Sequence, residues 1–272
     1  MGKVIFHWLM LVGLMTAPQG VLARDLAHGV DAMNKGDFAG AMAILEPLGK
    51  QGDAKAQMRM GLIYYMGLGV AEDYQRAAYW FEMSAENGNA VAQNNLGTMF
   101  DRGLGVAVDP ALAARWYQKA GEAGDRNAQF NLAVKYEVGN GIARDIEQAI
   151  VWYKRAAEQG HSLAQNNLAM LYDEGRGVKQ DHAEAFRLYK LSAESGNGHA
   201  QFNIGHMFAK GRGVKKDTQE ALQWFYRAGQ TFLEKEDIKS ATNALNAIGW
   251  VEPGHPFEAK LLEKMQQAAS VR

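Results

Sequence analysis

The chain has no cysteine among its 272 residues. Disulfides, thiolate metal sites and cysteine nucleophiles are thereby excluded. The compartment stays open, because an oxidising one permits disulfides without requiring them. An excess of one charge is lacking as well: 29 Lys and Arg stand against 30 Asp and Glu, a formal net charge of −1. That leaves no electrostatic footprint for nucleic acid or an acidic lipid surface. Catalytic signatures are absent too. There is no Gly-x-Ser-x-Gly elbow, and the seven His are scattered without metal-ligand spacing or a His-Glu-x-x-His helix. His199 and His206, two turns apart along one helix side, read as surface decoration rather than a ligand set. No catalytic residue, metal or cofactor is expected.

A long hydrophobic run is also missing. The N-terminal apolar stretch, residues 4–15, falls short of the roughly 20 residues a bilayer core demands. Lys3 and the free amine precede it, Pro18 and Gly20 break it, and Val21-Leu22-Ala23 sets small or branched residues where a signal peptidase reads. The expectation is a signal peptide over residues 1–23, cleaved after Ala23. The mature chain would then be periplasmic or secreted, with no membrane insertion. The alternative is an uncleaved membrane anchor.

What the chain does have is a period of 36 residues. An Ala-Gln pair opens each unit, at Ala56, Ala92, Ala128, Ala164 and Ala200. Gly67, Gly103, Gly139, Gly175 and Gly211 follow at a fixed distance, then Asp73, Asp109, Asp145, Asp181 and Asp217. Regular spacing over five copies marks a stacked repeat architecture, which more often presents a surface for partners than a catalytic cleft.

In the unit 164–199, Ala164, Leu168, Ala169 and Tyr172 share one helix face. Gly175 ends that helix, since glycine accepts the left-handed conformation after the last turn. Asp181 caps the next helix and Glu184 completes a capping box, as Gln148 does for Asp145 and Glu220 for Asp217. Pro110 after Asp109 suits a first helical position. Ala185, Leu188, Tyr189, Ser192 and Ala193 form the second buried stripe. Each unit is therefore a helix hairpin that needs its neighbours to bury a core. Small residues at 61, 97, 133, 169 and 205 let paired helices approach. The pairs Trp80-Phe81, Trp116-Tyr117, Trp152-Tyr153, Leu188-Tyr189 and Trp224-Phe225 are expected to fill the space between units.

This pattern resembles the Sel1-like repeat family, a relative of the tetratricopeptide repeats. The residues that carry it are the Ala-x-x-x-Leu-Gly/Ala-x-x-Tyr/Phe helix, the turns such as Gly67-Leu68-Gly69-Val70 and Gly175-Arg176-Gly177-Val178, the Asp cap, and the Ala…Trp-Tyr/Phe…Ala…Gly helix. It covers about 56–231. The resemblance implies an all-α, right-handed superhelical solenoid used for protein–protein contact, often in bacterial envelopes. Some exported Sel1-like proteins are linked to β-lactam hydrolysis or binding, but they resemble a cysteine-rich branch, and this chain has no cysteine.

The predicted organisation is a signal peptide (1–23), a tetratricopeptide-like N-terminal hairpin (24–55), five repeats (56–91, 92–127, 128–163, 164–199, 200–231) and a C-terminal helical cap (232–272). The turn Lys35-Gly36-Asp37-Phe38 is shorter than the others, and Phe232 stands where a closing Gly belongs. Helical pattern runs through 238–248, Pro253 and Pro256 break it, and a last amphipathic helix covers about 257–268. Atypical ends are the expected caps of a solenoid.

The Gly-x-Gly-Val turns lack the Gly-Lys-Ser/Thr ending and preceding strand of a phosphate loop. Asp101, Glu137 and Asp173 recur at equivalent surface places, too far apart to act as an acid–base pair. The fourth place of the first helix is more informative. It is Asn95, Asn131, Asn167 and Asn203 in four units and Arg59 in the first. Asn lowers helix propensity, so its recurrence needs a reason. In related tetratricopeptide proteins such Asn residues form a ladder that hydrogen-bonds an extended peptide, a task suited to a group that both donates and accepts. The alternative is that each Asn bonds the neighbouring repeat and only sets stacking. The groove reading adds Ile63, Met99, Lys135, Leu171 and Met207 one turn on, and Met58, Asn94, Phe130, Asn166 and Phe202 one place before, an adaptable lining of Met and flat rings. The expected function is a scaffold that binds a protein or extended peptide segment, with a structural spacer as the alternative.

Overall fold

A computed structural model describes residues 19–270. Most of the predicted leader lies outside them. Fourteen helices are described, with no strand among the described residues: α1 (Gln19–Asn34), α2 (Phe38–Lys50), α3 (Ala54–Met66), α4 (Tyr74–Glu86), α5 (Ala90–Arg102), α6 (Pro110–Glu122), α7 (Arg126–Val138), α8 (Ile146–Glu158), α9 (Ser162–Glu174), α10 (His182–Glu194), α11 (Gly198–Lys210), α12 (Thr218–Glu234), α13 (Ile238–Val251) and α14 (Pro256–Ser270). Among the described residues no helix is long and apolar enough to cross a membrane.

The helix ends follow from local chemistry. Gly67, Gly139, Gly175 and Gly211 sit in the left-handed region just past α3, α7, α9 and α11, where a Cβ would be strained. Asp73, Asp109, Asp145, Asp181 and Asp217 each cap the next helix through a carboxylate oxygen. The capping boxes are only half made. The N–H groups of Asp145, Asp181 and Asp217 donate to the carbonyls of Tyr136, Tyr172 and Phe208 at 2.9–3.0 Å. The cap's own donor is thus satisfied by the preceding helix, and Glu184 turns instead to Arg187.

The chain forms two compact units. One runs to Ala92 and takes in Leu104–Val106; the other is Gln93–Gly103 with the chain from Ala107 onward. In the first, α1 to α4 pack in sequence, and the short turn at Gly36 and Asp37 starts α2. In the second, α6 to α13 pack each on the next, and α14 lies against α12 and α13. Leu261 of α14 seats on Gly229 and closes the terminal cluster with Phe225, Phe232 and Ile248.

In α4 and α8 the two aromatics divide the work, which corrects the expectation that both members fill the space between units. Phe81 lies on Gly61, Tyr117 on Gly97 and Phe225 on Gly205, inside their own hairpins. Trp80 lies on Gly49 and Trp152 on Gly121, against the preceding hairpin. Each enclosed ring contributes about 1.5–3 kcal/mol through burial. The small residue of the first helix is what lets the ring lie flat on its backbone.

Candidate functional site

The second unit carries the first helices α7, α9 and α11 and residues 93–102 of α5. Their core stripe starts at the Ala of each Ala-Gln pair and continues four and seven residues on. In α9 these are Ala164, Leu168 and Leu171, all buried. A second stripe faces outward, through Asn131, Val134 and Val138 in α7, Asn167, Met170 and Glu174 in α9, and Asn203, His206 and Lys210 in α11. Asn95, Asn131, Asn167 and Asn203 are all half-buried at the edge of this outward stripe. Arg59 is half-buried at the same place on α3 of the first unit.

The residues expected one turn on do not line this face. Met99, Leu171 and Met207 are fully enclosed, as is Ile63 of the first unit, and Lys135 is 4% exposed. Four residues past the Asn, the helix has rotated them into the core stripe. Three residues past it, Thr98, Val134, Met170 and His206 remain half-buried at the surface. Phe130 and Phe202 are half-buried; Phe130 stacks on His161 at 4.6 Å, and Phe202 meets His206 at 4.7 Å and Phe225 at 5.3 Å.

The amides bond across repeats. Asn131 Nδ2 donates to Asn94 Oδ1 at 3.0 Å, and Asn203 Nδ2 to Asn166 Oδ1 at 3.4 Å. Phe130 offers no acceptor to Asn167, which donates to the Tyr153 hydroxyl at 3.1 Å. Tyr153 in turn donates to Glu137 Oε2 at 2.6 Å. Burial first, then this bond to Glu137, raises the Tyr153 pKa; burial pushes Tyr117 up to about 12. Both phenols stay neutral donors at any physiological pH.

The outward stripe also continues past α11. On α13 Ile238 is exposed at the start, and the exposed positions after it are Lys239, Asn243, Asn246 and Trp250, which step by four, three and four. Asn243 therefore occupies the Asn place of a degenerate sixth first helix.

A scan of protein families matches five Sel1 repeats, at residues 54–89, 90–125, 126–161, 162–197 and 198–230. The chain belongs to the Sel1 repeat family. A Sel1 repeat protein from Oxalobacter formigenes is similar at 28% identity and a TM-score of 0.80, over 90% of this chain and 96% of that one. A protective antigen present in uropathogenic Escherichia coli strains, displaying an SLR fold, is similar at 32% identity and a TM-score of 0.78 over 93% of this chain; the chain spans 54% of its length. A comparison with curated proteins found no match. Sel1 repeats typically serve as scaffolds for protein interaction.

Two features of these Sel1 repeats escaped the sequence reading. The glutamine of the Ala-Gln pair is a buried staple. Gln57, Gln129, Gln165 and Gln201 donate to the carbonyls of Gly49, Gly121, Ala157 and Ala193 at 2.9–3.3 Å, tying each first helix to the end of the second helix before it. Asp101, Glu137 and Asp173 are not bare surface acids. They pair with Lys135, Arg176 and Arg212 of the next Sel1 repeat, Glu137 to Arg176 at 2.8 Å and Asp173 to Arg212 at 3.3 Å. An acid near the end of one first helix is met by a base on its successor, Lys135, or in the turn just past it, Arg176 and Arg212. The signal was present in the sequence, since Tyr65 of the first repeat lacks the acid and Leu104 of the second lacks the base.

Proposed function

We propose that this chain is a non-catalytic, exported scaffold that binds an extended protein segment along the outward face of its first helices. The state of the amides carries this reading. Asn131 and Asn203 each use one of their hydrogen-bonding sites within the protein, and an Asn amide has two donors and two carbonyl lone pairs. Each cross-repeat bond fixes the amide plane and leaves the other edge for a backbone passing over it. Apolar side chains flank the row, with Val134 and Met170 beside it and Val138 and Leu163 exposed at its borders. An extended segment presents alternate side chains and a run of N–H and C=O groups, which such a row matches. The leader-like sequence of residues 1–23 supports export, and N-terminal sequencing of the exported chain tests it, with Arg24 the expected start.

A second reading is a structural spacer. The bonds Asn131–Asn94 and Asn203–Asn166 favour it, because they join neighbouring repeats without any partner. One experiment separates the two. A photo-crosslinking residue is placed at Val134, with and without the pair Asn131→Ala and Asn167→Ala, and crosslinking and melting are followed together. Crosslinks that vanish in the double variant while melting stays near native support the scaffold. A fall in melting temperature with no crosslink in either form supports the spacer.

A further inference from the structure

The outward face ends in a cluster unlike the rest of it. His206 lies 4.7 Å from Phe202, 4.9 Å from Phe225 and 6.2 Å from Trp250 between ring centres. Phe225 is wholly buried, but Trp250 is 60% exposed. The His206 Nδ1 is enclosed and has no hydrogen-bond partner. A large apolar ring in the open beside two half-covered ones is the composition of an anchor site rather than of a solvated face.

The turn that leaves α11 is basic. Residues 210–216 hold Lys210, Arg212, Lys215 and Lys216 and no acid, whereas residues 138–144 hold one base, Arg144, and residues 174–180 hold Arg176 and Lys179 beside Glu174. Arg212 is committed to Asp173. Lys210, Lys215 and Lys216 are exposed, with no ion pair among the described residues. Of the acids at this end, Asp173 holds Arg212 and His182, Asp217 caps α12 and Glu258 accepts from the Gly254 N–H, while neither Glu220 in the first turn of α12 nor Glu252 at the end of α13 makes an ion pair with these lysines among the described residues. Lys210 stands one turn beyond His206 on the same stripe. Burial, then Lys210 and Arg212, lowers the His206 pKa, so the positive field of the turn reaches the aromatic cluster.

We propose that the α11–α13 end of this face receives an acidic stretch of a protein segment, one apolar side chain of it resting against Phe202, His206 and Trp250 and its carboxylates held by Lys210, Lys215 and Lys216. The proposal rests on the scaffold reading above and adds the chemistry of the partner. The aromatic cluster supplies the desolvated anchor; the lysines supply steering and a preference for sign. An acidic segment also brings the counter-charge that Lys210, Lys215 and Lys216 are not given by an ion pair within the described residues.

The test uses labelled peptides and the mature chain. One peptide alternates Glu and Gly around a single Leu. A second carries Lys for Glu, a third Ala for Leu, and a fourth Gln for Glu. Fluorescence anisotropy is read at low and high salt. The Glu–Leu peptide should bind, lose about tenfold on exchange of its charge or its Leu, and weaken as salt screens the lysines. The triple variant Lys210→Glu, Lys215→Glu, Lys216→Glu should abolish the preference for sign. Trp250→Ala should cost about tenfold with unchanged melting, since truncating an exposed anchor removes binding rather than packing. Equal binding of the Glu and Lys peptides, indifference to both variants, binding only to phosphatidylglycerol vesicles, or no binding at all overturns the proposal. If the Gln peptide binds as well as the Glu peptide and responds to Asn131→Ala with Asn167→Ala, the acidic preference fails while the scaffold reading stands.

Discussion

Lys135 donates to the Asp101 carboxylate of the preceding repeat from a place where the other repeats keep Ile63, Met99, Leu171 and Met207. Among the described residues it is the one ammonium inside the core stripe of the second unit, and Asn140 explains it. In the next two repeats the acid of the repeat before is met by Arg176 or Arg212, one residue past the turn glycine. In this repeat that residue is Asn140, and the base has moved inward.

Lys135→Met should therefore destabilise, although Met is the residue of a sibling repeat. It strands the Asp101 carboxylate, which is largely covered, and losing one partner of such a pair costs about 1–3 kcal/mol once its partial exposure is allowed for. Adding Asn140→Arg to Lys135→Met recreates the arrangement of Asp173 with Arg212 and should recover most of the loss. Urea melts of the wild type, the single and the double variant measure it. A single variant as stable as the wild type would show that the ion pair contributes nothing to repeat contact.

A matching pair of substitutions probes the glutamine staple. The Oε1 atoms of Gln57, Gln129 and Gln201 accept from Asn87, Gln159 and Thr231 at 2.8–2.9 Å. The corresponding residue for Gln165 is Ser195, whose hydroxyl turns to the Leu191 carbonyl, and the Gln165 Oε1 is buried without a partner. Ser195→Asn supplies the donor that Asn87 provides in the first repeat and should stabilise by about 1 kcal/mol. Gln159→Ala removes the donor to Gln129 and should destabilise by about the same amount. Opposite shifts in melting temperature are expected. Shifts of the same sign would mean that the glutamine oxygen does not need a protein partner.

Glycines of like conformation should differ sharply in tolerance. Gly124 and Gly141 both have positive φ, +94° and +78°. A Cβ on Gly124 meets nothing within 4 Å, so Gly124→Ala pays only for the backbone, about 1–2 kcal/mol. A Cβ on Gly141 would stand 2.1 Å from the Pro110 carbonyl oxygen at the start of α6. Backbone cannot step aside as a side chain can, and Gly141→Ala should cost about 3 kcal/mol or more. Equal losses in denaturant melts would refute the close seating of this turn on the preceding repeat.

Much of the fold was legible because its signals are local. A glycine after a helix and an aspartate before one are fixed by backbone geometry a few residues long, and the five-fold period multiplied each signal. The site was read less well wherever two distant places had to converge. Met99, Leu171 and Met207 were placed on the face because one turn is neither three nor four residues; the step of three stays outside and the step of four goes in. Asn243 was invisible because α12 is 17 residues where α10 is 13, one turn longer, which takes the last helix out of the period. The exchange between Lys135 and Asn140 could be seen only once Asp101 was known to lie opposite both.

Acid should loosen the second unit through two histidines. His161 caps α9, its Nδ1 accepting from the Ala164 N–H at 3.2 Å, which only a neutral ring can do. Burial, then Arg126, lowers its pKa below 6.5, against weaker pulls from its own backbone bond and from Asp125. His206 is lowered by burial, then by Lys210 and Arg212. In both cases the folded ring binds a proton less readily than the unfolded one. Their contribution is therefore complete above about pH 6.5, falls as pH drops below it, and levels off once the folded rings are themselves protonated. Asp53 and Asp125 fill the capping place in sibling repeats, and Met170 fills the place of His206. His161→Asp with His206→Met should thus flatten melting temperature between about pH 7 and about pH 5, and raise it at the acid end. A wild type that gains stability on acidification through this window, or a double variant with the same slope, would reverse the assignment of both rings as neutral in the folded chain.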